Sequence, residues 1–327
     1  MAADLDSLIY TAVNSGGPLQ KRAAARLISR QENSPRQRLE ILARLYPYAG
    51  YAYTIGITGP PGAGKSTITD KLARLLLQEG HKVAIIAIDP SSPYSGGAIL
   101  GDRIRMNDLT LEENIFIRSL GSRGALGGLS EAVFGAAQIF NACGCDYIII
   151  ETVGVGQAEC EIRRIADTTI VVSVPGLGDD IQMIKAGVLE IGDILLVNKA
   201  DREGADQLAT MLRLKQQLAT AKDSGWRPPV LLSKATQAGA DNGLPELWRA
   251  IKEHRQYLEQ SGRLKEARAE HLEANLRHLL QSALVDKLLY GGKNGFNSAD
   301  KAGNDLAAEP NPYERLQKYL ESLEEAL

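Results

Sequence analysis

The stretch YTIGITGPPGAGKS, residues 53–66, joins an apolar, β-rich run to a glycine-rich turn that ends in lysine and serine. Gly59-Pro60-Pro61-Gly62-Ala63-Gly64-Lys65-Ser66 has the spacing G-x-x-x-x-G-K-[ST]. The run before it reads as a strand, and Thr69, Leu72, Leu75 and Leu76 after it recur at helical spacing. Strand, glycine turn and helix in that order define a phosphate-binding loop. The residue types follow from the chemistry. Glycines let the backbone curl until successive N–H groups point at phosphate oxygens, and the helix N-terminus adds positive potential. Lys65 is expected to reach the β- and γ-phosphates, and the Ser66 hydroxyl to bind Mg²⁺.

Outward from this motif the chain alternates between strand-like and helical stretches. The strand-like runs are 53–58, 83–89, 114–120, 146–151, 168–174, 193–198 and 230–232. Continuous apolar runs suit strands buried on both faces, so the expectation is an α/β domain of three layers, a mostly parallel sheet between helices. Residues 1–50 read as an N-terminal helical segment, 51–255 as the nucleotide-binding domain and 256–327 as a C-terminal helical extension. Ser34, Pro35 and Gln37 resemble a cap, a first-turn proline and a capping-box partner. Leu39, Ile41, Leu42 and Leu45 would then line one face of a helix ending near Tyr48. Beyond Pro245, Leu272, Leu276, Leu279, Leu280, Ala283, Leu284 and Leu288 form an apolar stripe on one long helix. Residues 291–312 read as a loop and 313–326 as a last helix. Such a stripe offers more apolar surface than a lone arm should expose, which predicts a homodimer built through the C-terminal helices.

Composition narrows the functional classes. The 327 residues carry 40 acidic and 37 basic side chains, a formal charge of −3, which argues against a nucleic-acid or membrane-surface partner. No apolar run approaches the roughly 18 residues of a membrane span. The N-terminus MAADLDSLIY lacks a basic leader, so a cytoplasmic protein is expected. Three cysteines, Cys143, Cys145 and Cys160, fit a reducing compartment; Cys143-Gly144-Cys145 reads as inert, buried cysteine before a strand.

Two further features carry chemistry. Asn198-Lys199-Ala200-Asp201 ends the run DILLV. An N-K-x-D sequence following a phosphate loop reads guanine: the Asp201 carboxylate accepts from the ring N1–H and the exocyclic amine, a pair adenine does not offer. Lys199 would lay its stem along the base. This favours a GTPase over an ATPase or small-molecule kinase. Asp89 and Glu151 end two of the strand-like runs, and ligands of open parallel sheets bind outside the carboxyl ends of the strands. Both are therefore candidates for the metal environment.

The segments DPSSPYSGGAILGDRIRM (89–106), RSLGSRGALGGLS (118–130), ETVGVGQAE (151–159) and PGLGDDIQMIKAG (175–187) closely resemble the MeaB/ArgK-type G-protein chaperones of adenosylcobalamin-dependent acyl-CoA mutases. The resemblance runs over essentially the whole chain. It implies that residues 59–67, Thr67 included, hold the GTP or GDP phosphates, and that Ser66, Asp89, Asp102 and Glu151 form the Mg²⁺ site. Residues 89–106 and 151–160 would be the first two switches, and 177–188 a third that touches the mutase. Gln182 and Lys185 would couple partner to nucleotide there, Lys185 with Lys65 and Glu151 serving turnover. Ser233, Lys234 and Ala235 sit where the family has its last guanine loop, with Lys234 departing from the usual Ser-Ala pair. The implied function is to gate cofactor loading and to protect or reactivate the mutase, such as methylmalonyl-CoA mutase, with GTP as the timer.

Val155 stands where Ras-type enzymes carry the water-positioning glutamine, and Gln157 follows two residues later, so slow intrinsic turnover is expected. Arg103, Arg105, Arg118 and Arg123 are available to supply charge. A nickel-insertion metallochaperone is the first alternative, weakened because His81, His254, His271 and His278 are scattered. A P-loop kinase is the second.

Overall fold

Seven parallel strands form one sheet in the order β3-β2-β4-β1-β5-β6-β7. They are β1 (Tyr53–Thr58), β2 (Val83–Asp89), β3 (Ile115–Gly121), β4 (Tyr147–Glu151), β5 (Thr168–Ser173), β6 (Ile194–Val197) and β7 (Val230–Leu232). The structure is a computed structural model, and it describes residues 2–89, 108–121, 128–152, 161–176, 191–218, 225–237 and 242–290. Within one residue at most ends, these are the strand-like runs of the sequence. β1, β4, β5 and β6 are buried at every position, as strands covered on both faces must be.

The three consecutive isoleucines of β4 illustrate the layering. Ile148 and Ile150 join one hydrophobic cluster, while Ile149 points into the cluster on the other face. The first cluster is covered by α1 (Ala2–Asn14), α2 (Gly17–Asn33), α3 (Pro35–Leu45) and α5 (Gly128–Ala142). The second is covered by α4 (Lys65–Gln78) and α7 (Leu244–Gln260), and α6 (Ala205–Leu218) packs beside β6 and β7. Helix α8 is Arg263–Tyr290.

The N-terminal helices are joined to the sheet layer by polar contacts as well as by leucines. Arg38 pairs with Glu131 of α5, both side chains almost wholly buried. Gln31 Nε2 donates to the Ala132 carbonyl, and Gln20 Nε2 to the carbonyls of Ala12 and Cys143. A buried pair of this kind costs several kcal/mol to break from one side, about 3–5, because the survivor keeps an uncompensated charge. Ser34 caps α3 by accepting from the Gln37 N–H at 3.3 Å. Leu39 departs from the expected apolar face: it is exposed, while Ile41 and Leu45 are buried. Arg38 takes the inward place instead, its fork matched to Glu131.

Past Pro245 the chain forms two helices, α7 and α8, separated at Gly262 with φ +76°. Leu272, Leu276 and Leu280 of the apolar stripe are exposed. The chain groups into two units, Met1–Asn275 and Leu276–Leu327. The expected loop at 291–312 and helix at 313–326 lie outside the described residues. Cys143 and Cys145 are buried free thiols, and burial pushes Cys143 up to about 12 and Cys145 well above its ordinary value. They are inert, as read from the sequence.

Candidate functional site

The loop between β1 and α4 is shaped by contacts that exclude a side chain. At Gly59, φ is +144° and a Cβ would lie 2.2 Å from the Val172 carbonyl oxygen of β5. At Gly64, φ is +90° and a Cβ would lie 2.4 Å from Asn198 Nδ2. Only glycine fits both places. Helix α4 starts at Lys65 with no side-chain cap on its N-terminus, so its first N–H groups lack intrahelical partners and face the loop. This is an anion cradle by construction. Lys65 is buried and its ammonium donates to the carbonyls of Gly59 and Pro60, at 2.8 and 2.9 Å. The charge is thus folded over the loop that a phosphate would fill.

At the end of β4, Glu151 pairs in register with Ile57, beside the strand that feeds the loop. It is buried, and Ser66 Oγ donates to its Oε1 at 2.5 Å. A hydroxyl and a carboxylate in contact next to an anion cradle are hard oxygen donors of the kind Mg²⁺ selects, so these two residues fit that ion. Asp89 ends β2 as expected, but its side chain, Asp102, Gln182 and Lys185 lie outside the described residues. Arg118, a candidate source of charge, is committed elsewhere: it donates to Ser29 Oγ and Glu32 Oε2 of α2. Arg103, Arg105 and Arg123 are outside the described residues.

Asn198 links the phosphate loop to the loops after β6 and β7. It is buried; its Nδ2 donates to the Ala63 carbonyl at 2.8 Å. Its Oδ1 accepts from Ser233 Oγ at 3.0 Å and from the Ala235 N–H at 3.2 Å. Lys199 adopts φ +56°, the one non-glycine positive φ among the described residues, and its ammonium donates to the Gly62 carbonyl at 2.7 Å. The Ala200 N–H donates to the Ser233 carbonyl, and Asp201 is exposed at the rim. The structure therefore brings residues 59–67, Glu151, 198–201 and 233–235 together at the carboxyl ends of β1, β4, β6 and β7.

Three supports were missed in the sequence. Asn242 accepts the Lys234 N–H on its carbonyl, and its side-chain Oδ1 accepts the Leu244 N–H at the start of α7. Gly243, φ +80°, would place a Cβ 2.1 Å from the Leu232 carbonyl. Lys71 of α4 donates to the Gln237 carbonyl. The string NGLP (242–245), an Asn and a Gly ahead of a first-turn proline, is a helix-start signal that could have found the first two. Lys71 carried no such signal.

Sheet order, cradle and the Asn198 junction define a P-loop NTPase of the guanine-nucleotide-binding class. The protein belongs to the family described as "Methylmalonyl Co-A mutase-associated GTPase MeaB", which matches residues 22–293. It is a GTPase, and it is 50% identical over 277 residues to a putative GTPase of Pyrococcus abyssi, covering 84% of this chain and 85% of that one. The mouse protein named methylmalonic aciduria type A homolog, mitochondrial, is 32% identical over 240 residues, 72% of this chain and 56% of its own length. Among solved structures, one titled "Crystal structure of LAO/AO transport system kinase" superposes with a TM-score of 0.71 at 27% identity, covering 98% of this chain and 99% of that chain. No described helix is long and apolar enough to cross a membrane.

Proposed function

We propose that this GTPase is a cytoplasmic chaperone of an adenosylcobalamin-dependent acyl-CoA mutase, such as methylmalonyl-CoA mutase, gating cofactor loading and protecting or reactivating that enzyme. The observation that carries the reading is the family match over 22–293, the mutase being part of the family's description.

In this reading the loop 59–67 binds the phosphates through its backbone N–H groups, Pro60 and Pro61 having none and shaping the turn, and Lys65 turns its ammonium from the Gly59 and Pro60 carbonyls to the β- and γ-phosphate oxygens. Asp201 accepts from the guanine edge, Lys199 flanks the base, and residues 233–235 complete the base pocket. Ser66 and Glu151, together with Asp89 and Asp102, would hold Mg²⁺, which would neutralise charge developing on the phosphates. Glu151 orients the Ser66 hydroxyl for that role. The exposed leucines Leu272, Leu276 and Leu280 support pairing of two copies through the C-terminal extension, residues 256–327.

Purified chain should hydrolyse GTP slowly and faster with its cognate mutase; a rate indifferent to every cobalamin-dependent acyl-CoA mutase tested would remove the chaperone reading. Glu151→Ala is expected to lower kcat by about tenfold or more while GDP affinity changes little, because the lost interaction matters most in the transition state. Steady-state kinetics beside calorimetric titration separate the two quantities; equal losses in both would assign Glu151 a structural role only.

Residues 177–188 follow β5 in the sequence, and β5 ends at Ser173 on the edge of the sheet where β4 ends at Glu151. They serve as the third switch, and Lys185 acts when the mutase holds this segment against the nucleotide. Lys185→Ala should leave GTP affinity nearly unchanged and abolish most of the mutase stimulation. Full stimulation with unchanged complex formation would return this segment to an ordinary strand-to-helix connection.

A further inference from the structure

Guanine differs from adenine along one edge, where it carries an exocyclic amine, a ring N1–H and the O6 carbonyl. A carboxylate suits the two donors and does nothing for O6, which needs a donor from the protein. Asp201 lies in the loop after β6, and residues 233–235 lie in the loop after β7. The two loops run side by side: Val197 pairs with Leu232, and beyond the strands the Ala200 N–H donates to the Ser233 carbonyl at 2.9 Å.

The backbone donors of 233–235 are already spent. The Ser233 N–H donates to the Val197 carbonyl at 2.8 Å, the Lys234 N–H to the Asn242 carbonyl at 2.9 Å, and the Ala235 N–H to Asn198 Oδ1 at 3.2 Å. Ser233 Oγ is turned to that same Asn198 oxygen. Diverting any of these donors to a ligand would leave a buried acceptor of the loop framework short of its partner. Side-chain cations remain. The Lys199 ammonium is held by the Gly62 carbonyl and the Lys71 ammonium by the Gln237 carbonyl. Lys234 differs from both. Its backbone is fixed at either end, by Asn242 on its N–H and by the Gln237 N–H on its carbonyl at 2.8 Å. Its half-buried side chain nevertheless has no hydrogen-bond or ion-pair partner among the described residues, and neither has the Asp201 carboxylate on the adjoining loop.

We propose that the Lys234 ammonium is the donor that reads guanine O6, so that two side chains of opposite sign, Asp201 and Lys234, recognise the base together. This rests on the reading of residues 198–201 and 233–235 as the base pocket. An unpaired anion and an unpaired cation on neighbouring loops match the polarity of the guanine edge, donors at one end and an acceptor at the other. Adenine has the wrong sign against both: its N1 is unprotonated, and its exocyclic amine stands where O6 would be, a donor set against an ammonium. A hydrogen bond from a charged donor is about twice as strong as a neutral one, so the lysine adds to affinity as well as to discrimination. Its four-carbon stem lets the ammonium reach the base without moving the loop that Asn198 and Asn242 hold.

The test uses the full chain carrying Lys234→Met, Lys234→Arg or, as a control, Arg202→Met, which removes the exposed cation next to Asp201. Each is titrated by calorimetry with GDP, 6-thio-GDP and ADP. The thio nucleotide keeps both donors that face Asp201 and replaces O6 by sulfur, a weak acceptor. Lys234→Met is expected to weaken GDP about tenfold to a hundredfold, to change 6-thio-GDP by no more than about threefold, and to narrow the gap between GDP and ADP by about tenfold. Lys234→Arg should recover most of the GDP affinity by keeping a charged donor, and Arg202→Met should stay within about twofold of the parent. GDP affinity unchanged in folded Lys234→Met, an equal loss for GDP and 6-thio-GDP, or the loss appearing in Arg202→Met instead would each overturn the proposal. If Lys234→Met does not fold, Lys234→Ala decides by the same comparison of GDP with 6-thio-GDP. Equal affinity of the unmodified chain for GDP and ADP would remove the reading of the base pocket, and this inference with it. Guanine-selective binding that Lys234→Met leaves intact would overturn this inference alone.

Discussion

Asn198→Ala is expected to weaken GDP binding by about a hundredfold and to lower the stability of the apo protein by about 3 kcal/mol, roughly 6–9 °C in Tm. The side chain is buried and makes three hydrogen bonds that join three loops. Its removal leaves the Ala63 carbonyl, the Ser233 hydroxyl and the Ala235 N–H without their partner in a site closed to water, and each such group costs about 1–3 kcal/mol. The stability loss is smaller than the sum because the loops relax. The affinity loss is separate: the phosphate loop and the base-reading loops no longer share a fixed spacing, so one nucleotide no longer meets both in their bound geometry. Scanning calorimetry and titration with a fluorescent GDP measure the two effects. Asn198→Asp sharpens the test, since it keeps the acceptor and sets an oxygen against the Ala63 carbonyl. A Tm within 1 °C of the parent for both variants, as an order-of-magnitude threshold, would mean that the loops are held by other contacts.

Asp201→Asn is expected to exchange guanine for xanthine preference. A carboxylate accepting from two donors of the base contributes about 1.5–3 kcal/mol, so GTP affinity should fall by roughly tenfold to more than a hundredfold. Xanthine carries a carbonyl where guanine has its exocyclic amine, and the asparagine amide supplies the donor that carbonyl needs. The position suits this role: Asp201 is exposed at the rim, and the Ala200 N–H before it is tied to the Ser233 carbonyl. Competition of GTP, XTP and ATP for the parent and the variant measures the preference. Equal affinity of the unmodified protein for ATP and GTP would refute the assignment of Asp201.

Much of this protein is legible in the order of its residues. The apolar runs of β1, β4, β5 and β6 announce buried parallel strands because strands covered on both faces tolerate few polar residues. The glycines at 59, 62 and 64 announce the cradle because backbone at positive φ selects glycine locally, whatever the rest of the chain does. Glu151 was marked by its place at a strand end. The Leu39 prediction failed for a reason outside α3: periodicity gives the face of a helix but not what lies opposite it, and here Glu131 lies opposite and draws Arg38 inward.

What the sequence determined, then, is whatever depends on local conformational preference or on the period of apolar residues: strand, loop, helix, their alternation, and the chemistry of the motifs. Tertiary structure alone decided which separate motifs meet. Asn198 and Ala63 are 135 residues apart, and Ser66 and Glu151 are 85 apart. Arg268 of α8 meets Asp167 across 101 residues, a pairing that depends on where α8 is laid down. Such pairings are set by the strand order of the sheet and by the fit of one buried fork or amide to its partners, and neither quantity has a period that a reading along the chain detects.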